Sequence, residues 1–165
     1  MKPIMSMLGA ALIGLSAAGA ASAQDAPPPE TAPGSPSAAV AAEDWHSFSR
    51  SAAKAYLADV GHIGQGDVVT IRMARVNLTA PAPGNYSYVA DEYEFQCAAG
   101  QVRTVASNEY GPDGVAFDRY EDASPWEDIP DRSLDAYLKA LACDGERASP
   151  PTWPSIKAFI DAGRR

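Results

Sequence analysis

Two cysteines, Cys97 and Cys143, constrain this chain more than any other residues, because each ends a different predicted element. Cys97 closes segment 93–97, in which apolar and polar residues alternate as in a half-buried strand. Cys143 closes segment 134–142, whose apolar residues recur at helical spacing. In an exported protein, this arrangement predicts one disulfide that ties a strand to a helix.

The predicted disulfide would supply a large share of the stability of a small domain. Closing a loop of 46 positions disfavours the unfolded chain by about 4 kcal/mol in the chain-entropy estimate. The alternatives are a redox pair or a metal site. No Cys-x-x-Cys motif supports a redox pair, and two cysteines alone are a poor ligand set for zinc.

Segment 1–23 has the three parts of a secretory signal peptide: a cation at Lys2, an apolar run, and a small-residue cleavage site that ends at Ala23. The apolar run is shorter than the roughly 20 residues of a membrane-spanning helix. We therefore expect cleavage after Ala23, with a retained N-terminal anchor as the alternative. No cysteine lies near this site to carry a lipid, so we expect a periplasmic or secreted protein that does not span the membrane.

Segment 24–43 is rich in Pro and Ala and has few large side chains, which predicts a disordered or extended linker. The remaining segment, 44–165, has the usual size of one domain. The formal net charge of the whole chain is −8 at pH 7. Because an acidic surface repels nucleic acid and anionic lipid, we expect neither of them as a partner.

About six strands are predicted from runs rich in β-branched and aromatic residues between turn signals. They are segments 45–50, 54–59, 67–78, 86–97, 101–110 and 115–120. The apolar alternation slips near Ala74 in the third strand. It changes phase near Asp91 and Glu92 in the fourth, which predicts a β-bulge there. Short links between the strands predict an antiparallel meander, because parallel pairs need long crossovers.

Helix patterns occur only late in the chain. Leu134, Tyr137, Leu138 and Leu141 form one apolar stripe, which must cover a face of the sheet. A short second helix is predicted over 154–162. The predicted fold class is α+β: an antiparallel meander of about six strands with a C-terminal helix packed on one face and tied by the disulfide.

Several short motifs follow one another along the chain. They are Trp45, Tyr56-Leu57-Ala58-Asp59, His62-Ile63, segment 67–76, Tyr93-Glu94-Phe95-Gln96-Cys97, Tyr110-Gly111-Pro112, segment 124–130 and Leu141-Ala142-Cys143. In this order they resemble the bacterial surface-adhesin protein E family, over about 45–143. The resemblance implies a single antiparallel sheet with the late helix held against it by the Cys97–Cys143 bond.

The same resemblance implies a binding module, because the named members of that family bind host matrix and serum proteins and some associate as dimers. We therefore expect a non-enzymatic binding or envelope-associated module. Its expected partner is an envelope or extracellular protein, and a homodimer is a further expectation. Tyr86, Tyr88, Tyr93 and Trp126 are the candidate binding surface, because Tyr and Trp are enriched at interfaces. Ordinary packing across the strands is the alternative.

No catalytic, cofactor or metal site is predicted. The two histidines, His46 and His62, have no partner acid or nucleophile that the sequence places nearby, so we expect both to be exposed and non-catalytic. The acidic stretch 118–131 lacks the spacing of a calcium loop. The alternative function is a periplasmic hydrolase-like or metal-dependent enzyme. A pocket that holds either histidine within hydrogen-bond distance of a carboxylate would favour that alternative.

Overall fold

A computed structural model describes residues 41–79, 82–121 and 123–165 as an antiparallel sheet with two helices. The strands are β1 (Trp45–Arg50), β2 (Lys54–Asp59), β3 (Val69–Asn77), β4 (Tyr88–Gln96), β5 (Gln101–Tyr110), β6 (Ala116–Glu121), β7 (Glu127–Asp128) and β8 (Thr152–Trp153). The helices are α1 (Leu134–Cys143) and α2 (Ile156–Asp161). The predicted signal peptide and most of the predicted linker, 1–40, lie outside the described residues.

The strands follow the order β6-β5-β4-β3-β2-β1-β8, and β7 also pairs with β5. Every pairing is antiparallel, so the predicted α+β class and meander are confirmed. The predicted count of six strands is too low by the two shortest, β7 and β8. Each has only two residues, which is too few to show an alternating pattern.

The two helices cover opposite faces of the sheet. Leu57 and Ala58 are neighbours on β2, and successive residues of a strand point to opposite faces. Leu57 belongs to a buried cluster with Phe159 of α2, whereas Ala58 belongs to a second cluster with Leu138 of α1. We call the two sides the α2 face and the α1 face.

Each helix covers only one end of the sheet, so the buried face changes along a strand. On β3, Ile71 and Met73 are buried on the α1 face, and Ala74 and Val76 are buried on the α2 face. The slip in alternation near Ala74 is therefore the position at which the core crosses the sheet.

The same crossing explains the phase change in β4, and it corrects the predicted bulge. Tyr88 packs on the α2 face, and Phe95 packs on the α1 face, without an extra residue between them in β4. An irregularity does occur in the pairing of β4 with β5, but the extra residue is Val105 on β5, opposite Glu92 and Tyr93. The alternation of apolar residues in β4 shifts because the buried side of the strand changes from the α2 face to the α1 face, and not because β4 contains a bulge.

The disulfide between Cys97 and Cys143 is present, with the two Cα atoms 5.7 Å apart. It joins the end of β4 to the last residue of α1 and holds that helix on its face. Ser133 caps α1 by accepting a hydrogen bond from the backbone N–H of Ala136 (3.0 Å), as expected for a serine at this position. Among the described residues, no helix is long and apolar enough to cross a membrane.

We predict that Leu138→Ala and Phe159→Ala will each lower the free energy of unfolding by about 2–5 kcal/mol, because each empties part of one buried cluster. Since the two side chains lie on opposite faces, the effects should add to within about 0.5 kcal/mol in the double variant. Urea denaturation of the three variants measures this. We call the two buried clusters the half-cores. A coupling energy above about 1 kcal/mol between the two substitutions would contradict their separation.

Candidate functional site

The part of the α2 face that α2 leaves uncovered carries a network of charged side chains. We call it the charged half-face and define it by Thr70, Arg72, Glu92, Glu94, Arg103 and Arg119. These residues share a face because residues directly opposite on antiparallel strands point the same way. Glu94 stands between Thr70 on β3 and Arg103 on β5. The network therefore follows from strand register.

Ion pairs link the strands across the charged half-face. Arg103 lies 2.6 Å from Glu94, and Arg119 lies 2.6 Å from Glu92. Arg119 also contacts Glu121 at 2.8 Å. The hydrogen bond from Arg119 is the main cause that lowers the pKa of Glu92 below its usual range, and partial burial opposes it. Glu92 is therefore held as a carboxylate on the surface of the sheet.

Asp59 is the buried end of this network. Its side chain is fully buried at the end of β2, where it caps the 3-10 turn Val60–His62. It accepts hydrogen bonds from the backbone N–H groups of Asp44 (3.1 Å) and Gly61 (3.2 Å). Arg72 and the Nδ1 of His62 (2.8 Å) also bond to it. A buried carboxylate needs such partners, since an unpaired charge in the interior is strongly destabilising.

Glu43 completes the surroundings of Arg72, although it is the last residue of the predicted linker. It accepts hydrogen bonds from Arg72 (2.9 Å) and from the indole N–H of Trp45 (3.0 Å). The backbone just before Glu43 passes close to Gly61. Only a glycine fits there, because a Cβ at position 61 would lie 2.1 Å from the carbonyl oxygen of Ala42. Burial lowers the pKa of Arg72, but the bonds to Asp59 and Glu43 more than offset this, and the net pKa is raised.

An open cavity of about 630 Å³ lies on the charged half-face, a volume within the range of ligand sites. Its wall includes Glu43, His62, Thr70, Arg72, Glu92, Glu94 and Val105. The Nε of Arg72 is buried and has no hydrogen-bond partner in the described part of the chain. The cavity itself offers the carboxylates of Glu43, Glu92 and Glu94 as acceptors.

The four aromatic residues of the predicted binding surface do not lie together. Tyr86 and Tyr88 pack against the cluster under α2, and the ring of Tyr88 stacks on Tyr110 with the centroids 4.0 Å apart. Tyr93 packs on the other face, against the cluster under α1. Trp126 lies beside the charged half-face, with the Arg103 guanidinium 4.5 Å from its ring centroid. Of the four, Trp126 borders the charged half-face, and Tyr93 is among the residues that line the cavity on it.

The expectation of exposed histidines is wrong for His46, which is 5% exposed. Its Nε2 lies 3.1 Å from Asp44, two residues earlier in the chain, so the pair shares one side of β1. His62 is half-buried and bonds to Asp59. No pattern in the sequence predicts the Asp59–His62 pair, because the turn that brings the two side chains together is set by the Asp59 cap.

Each histidine bonds to one carboxylate, but the described residues supply no nucleophile that would complete a catalytic triad. No serine, threonine, tyrosine or cysteine side chain there hydrogen-bonds to His46 or His62. Within 41–79, 82–121 and 123–165, no group of three or more His, Cys, Asp or Glu side chains could hold a metal ion. The arrangement can orient an imidazole in a cavity, but no nucleophilic side chain among the described residues hydrogen-bonds to that imidazole.

Comparison with models of known protein families places this chain. The family model described as Surface-adhesin protein E matches residues 45–144, which include the sheet strands β1 to β7, helix α1 and both cysteines. No curated protein matches the chain, and no solved structure does. The chain belongs to the surface-adhesin protein E family.

Tyr93 gives a test of its placement in the core. Burial, helped by the negative charges of Asp91 and Asp135, raises the pKa of Tyr93 to about 12. A raised pKa means that folding favours the neutral phenol. Its contribution to stability is complete below the ordinary tyrosine pKa of about 10 and is lost as the pH rises through the folded-state pKa.

We therefore predict that the free energy of unfolding of the wild type will fall more steeply between pH values of about 10 and 12 than that of Tyr93→Phe. Denaturant unfolding at several pH values measures the two slopes. Tyr137→Phe is the matched control and should behave like the wild type. The prediction that Tyr137 faces the sheet is wrong, because this side chain is 53% exposed on α1. Equal slopes for Tyr93→Phe and the wild type would show that the Tyr93 hydroxyl is hydrated rather than buried.

Removing Arg72 tests the buried end of the network. We predict that Arg72→Met will lower the free energy of unfolding by about 3 kcal/mol, because it strips the guanidinium from a fully buried carboxylate. The control Arg119→Met removes an exposed arginine of the same network and should cost far less. The double variant Asp59→Asn/Arg72→Met should recover part of the loss. A loss for Arg72→Met no larger than that for Arg119→Met would contradict this role of Asp59.

Proposed function

We propose that this member of the surface-adhesin protein E family is an exported, non-enzymatic binding module. Its partner is an envelope or extracellular protein, and the charged half-face is the surface that binds it. Family membership supports an adhesin-like module. The partner and the surface are our own assignments.

Two observations support export. The Cys97–Cys143 disulfide is of a kind that persists in oxidising compartments and is rare in the cytosol. Segment 1–23 has the pattern of a secretory signal peptide. Together with the family, they favour the periplasm or the medium as the location of the mature protein.

The observation that carries the choice of surface is that the core crosses the sheet and that, within the part of the chain that the structure describes, neither helix covers the charged half-face. This surface holds three arginines and borders Trp126, and Arg and Trp are enriched among residues that dominate binding energy. Its ion pairs already fix most of these side chains. A prearranged surface loses less side-chain freedom when a partner binds.

A hydrolase-like enzyme is the second candidate, because His62 lines the cavity and bonds to Asp59 at 2.8 Å. A carboxylate that orients an imidazole is one part of many hydrolytic sites. The binding module is the better assignment, since the described residues place no nucleophile at that imidazole. Hydrolysis of chromogenic esters by the wild type, lost in His62→Ala, would support the enzyme instead.

The predicted homodimer remains a prediction. Strand β6 is an outer edge of the sheet, and all six of its residues are exposed. Phe117 on this edge is 67% exposed. An exposed edge strand is a template for pairing with another chain, and sedimentation of the mature protein at several concentrations decides whether it pairs with itself.

We predict that Glu94→Lys weakens binding to the protein partner about tenfold, because it reverses a charge at the centre of the charged half-face. The matched control is Glu109→Lys on β5, which lies on the α1 face beyond the reach of α1. Immobilised envelope and matrix proteins, probed with the wild type and both variants, provide the measurement. Equal binding by all three proteins would show that the binding site is not on the charged half-face. No binding by the wild type would contradict the proposal of a binding module.

A further inference from the structure

We infer that the charged half-face takes a basic, extended peptide segment, with Lys or Arg side chains at alternate positions. This inference rests on the proposed function and names the chemistry of the partner. It follows from three properties of the surface: its charge balance, the spacing of its carboxylates and the carboxylate oxygen that its own ion pairs leave unused.

The charge balance of the surface favours a cation. Five carboxylates and three guanidiniums take part in its ion-pair network: Glu43, Asp59, Glu92, Glu94 and Glu121 against Arg72, Arg103 and Arg119. The network thus keeps an excess of negative charge after all its internal pairs are counted. The whole chain adds a long-range field of the same sign, with a formal net charge of −8. Such a field draws a cationic partner toward the surface and repels an acidic one.

The spacing of the carboxylates favours an extended segment. Glu92 and Glu94 are two positions apart on β4 and point to the same face. Their Cα atoms are therefore separated by about 6.8 Å along the strand, the distance between alternate side chains of any extended chain. A peptide that lies along β4 can place one cation at each carboxylate. A helical segment matches this spacing less closely, because its side chains at i and i+4 are about 6.0 Å apart along the axis.

A free carboxylate oxygen completes the site. Both contacts from Arg103 reach Oε2 of Glu94, and no hydrogen bond from the described residues reaches Oε1. This oxygen can accept from an incoming ammonium or guanidinium group. The cavity of about 630 Å³ beside Glu94 leaves room for the side chains of the peptide.

The test uses two fluorescein-labelled peptides of about nine residues, long enough to follow one strand. One alternates Lys with Ser, and the other alternates Glu with Ser. Fluorescence anisotropy measures their binding to the mature wild type and to Glu94→Gln, Thr70→Lys and the control Glu109→Gln. Thr70 is exposed and stands directly opposite Glu94. A lysine there can pair with Glu94 across the strands without disturbing the core.

We expect the Lys-Ser peptide to bind the wild type and Glu109→Gln alike, and to bind Glu94→Gln and Thr70→Lys about tenfold more weakly. Raising NaCl from about 50 to about 300 mM should weaken binding to the wild type, because exposed charges are screened. Urea unfolding of each variant confirms that it is folded, and Thr70→Lys keeps the test valid if Glu94→Gln proves unstable.

Equal binding of the Lys-Ser peptide to the wild type and Thr70→Lys would overturn the inference. So would tighter binding of the Glu-Ser peptide, or no measurable binding of the Lys-Ser peptide. If the peptide fails while Glu94→Lys still weakens binding to immobilised envelope or matrix proteins, the proposed function stands and only the partner chemistry is wrong. If both assays fail, the proposed function fails with the inference.

Discussion

The crossing of the core from one face of the sheet to the other is the constraint on which the rest of this structure depends. Two short helices, one of ten residues and one of six, cannot cover both faces of a sheet this wide. Each covers one half of one face, and the apolar residues of β3 and β4 change sides accordingly. The two uncovered halves must then be polar, since exposed apolar surface of that extent would favour aggregation.

Each half-core ends at a buried carboxylate that pairs with an arginine of β3. On the α2 face, Asp59 pairs with Arg72. On the α1 face, Asp91 accepts hydrogen bonds from Arg75 (3.0 Å) and from the Ser107 hydroxyl (2.7 Å). Such pairs do not by themselves stabilise a fold much more than apolar residues would. They mark where apolar packing stops on each face, and the Asp59–Arg72 pair borders the charged half-face.

The elements of the fold follow from local sequence, and the layout of the site does not. Strands β1 and β2 match their predicted bounds, and α1 follows the stripe that includes Leu138 and Leu141. These are local signals of period and capping. Which face is buried at Ala74 depends on contacts with α2, far along the chain. The same holds for Glu43, whose role depends on Arg72 on another strand and on the absence of a side chain at Gly61.

The most direct measurement of the central claim is the solvent exposure of individual side chains, mapped by NMR relaxation with a neutral, soluble paramagnetic probe. If the core crosses the sheet, the side-chain protons of Glu92 and Glu94 and the indole of Trp126 will relax strongly. Leu138 and Phe159, on opposite faces, will both be protected. Protection of the two glutamates, or strong relaxation of either Leu138 or Phe159, would contradict a core that is split between the two faces.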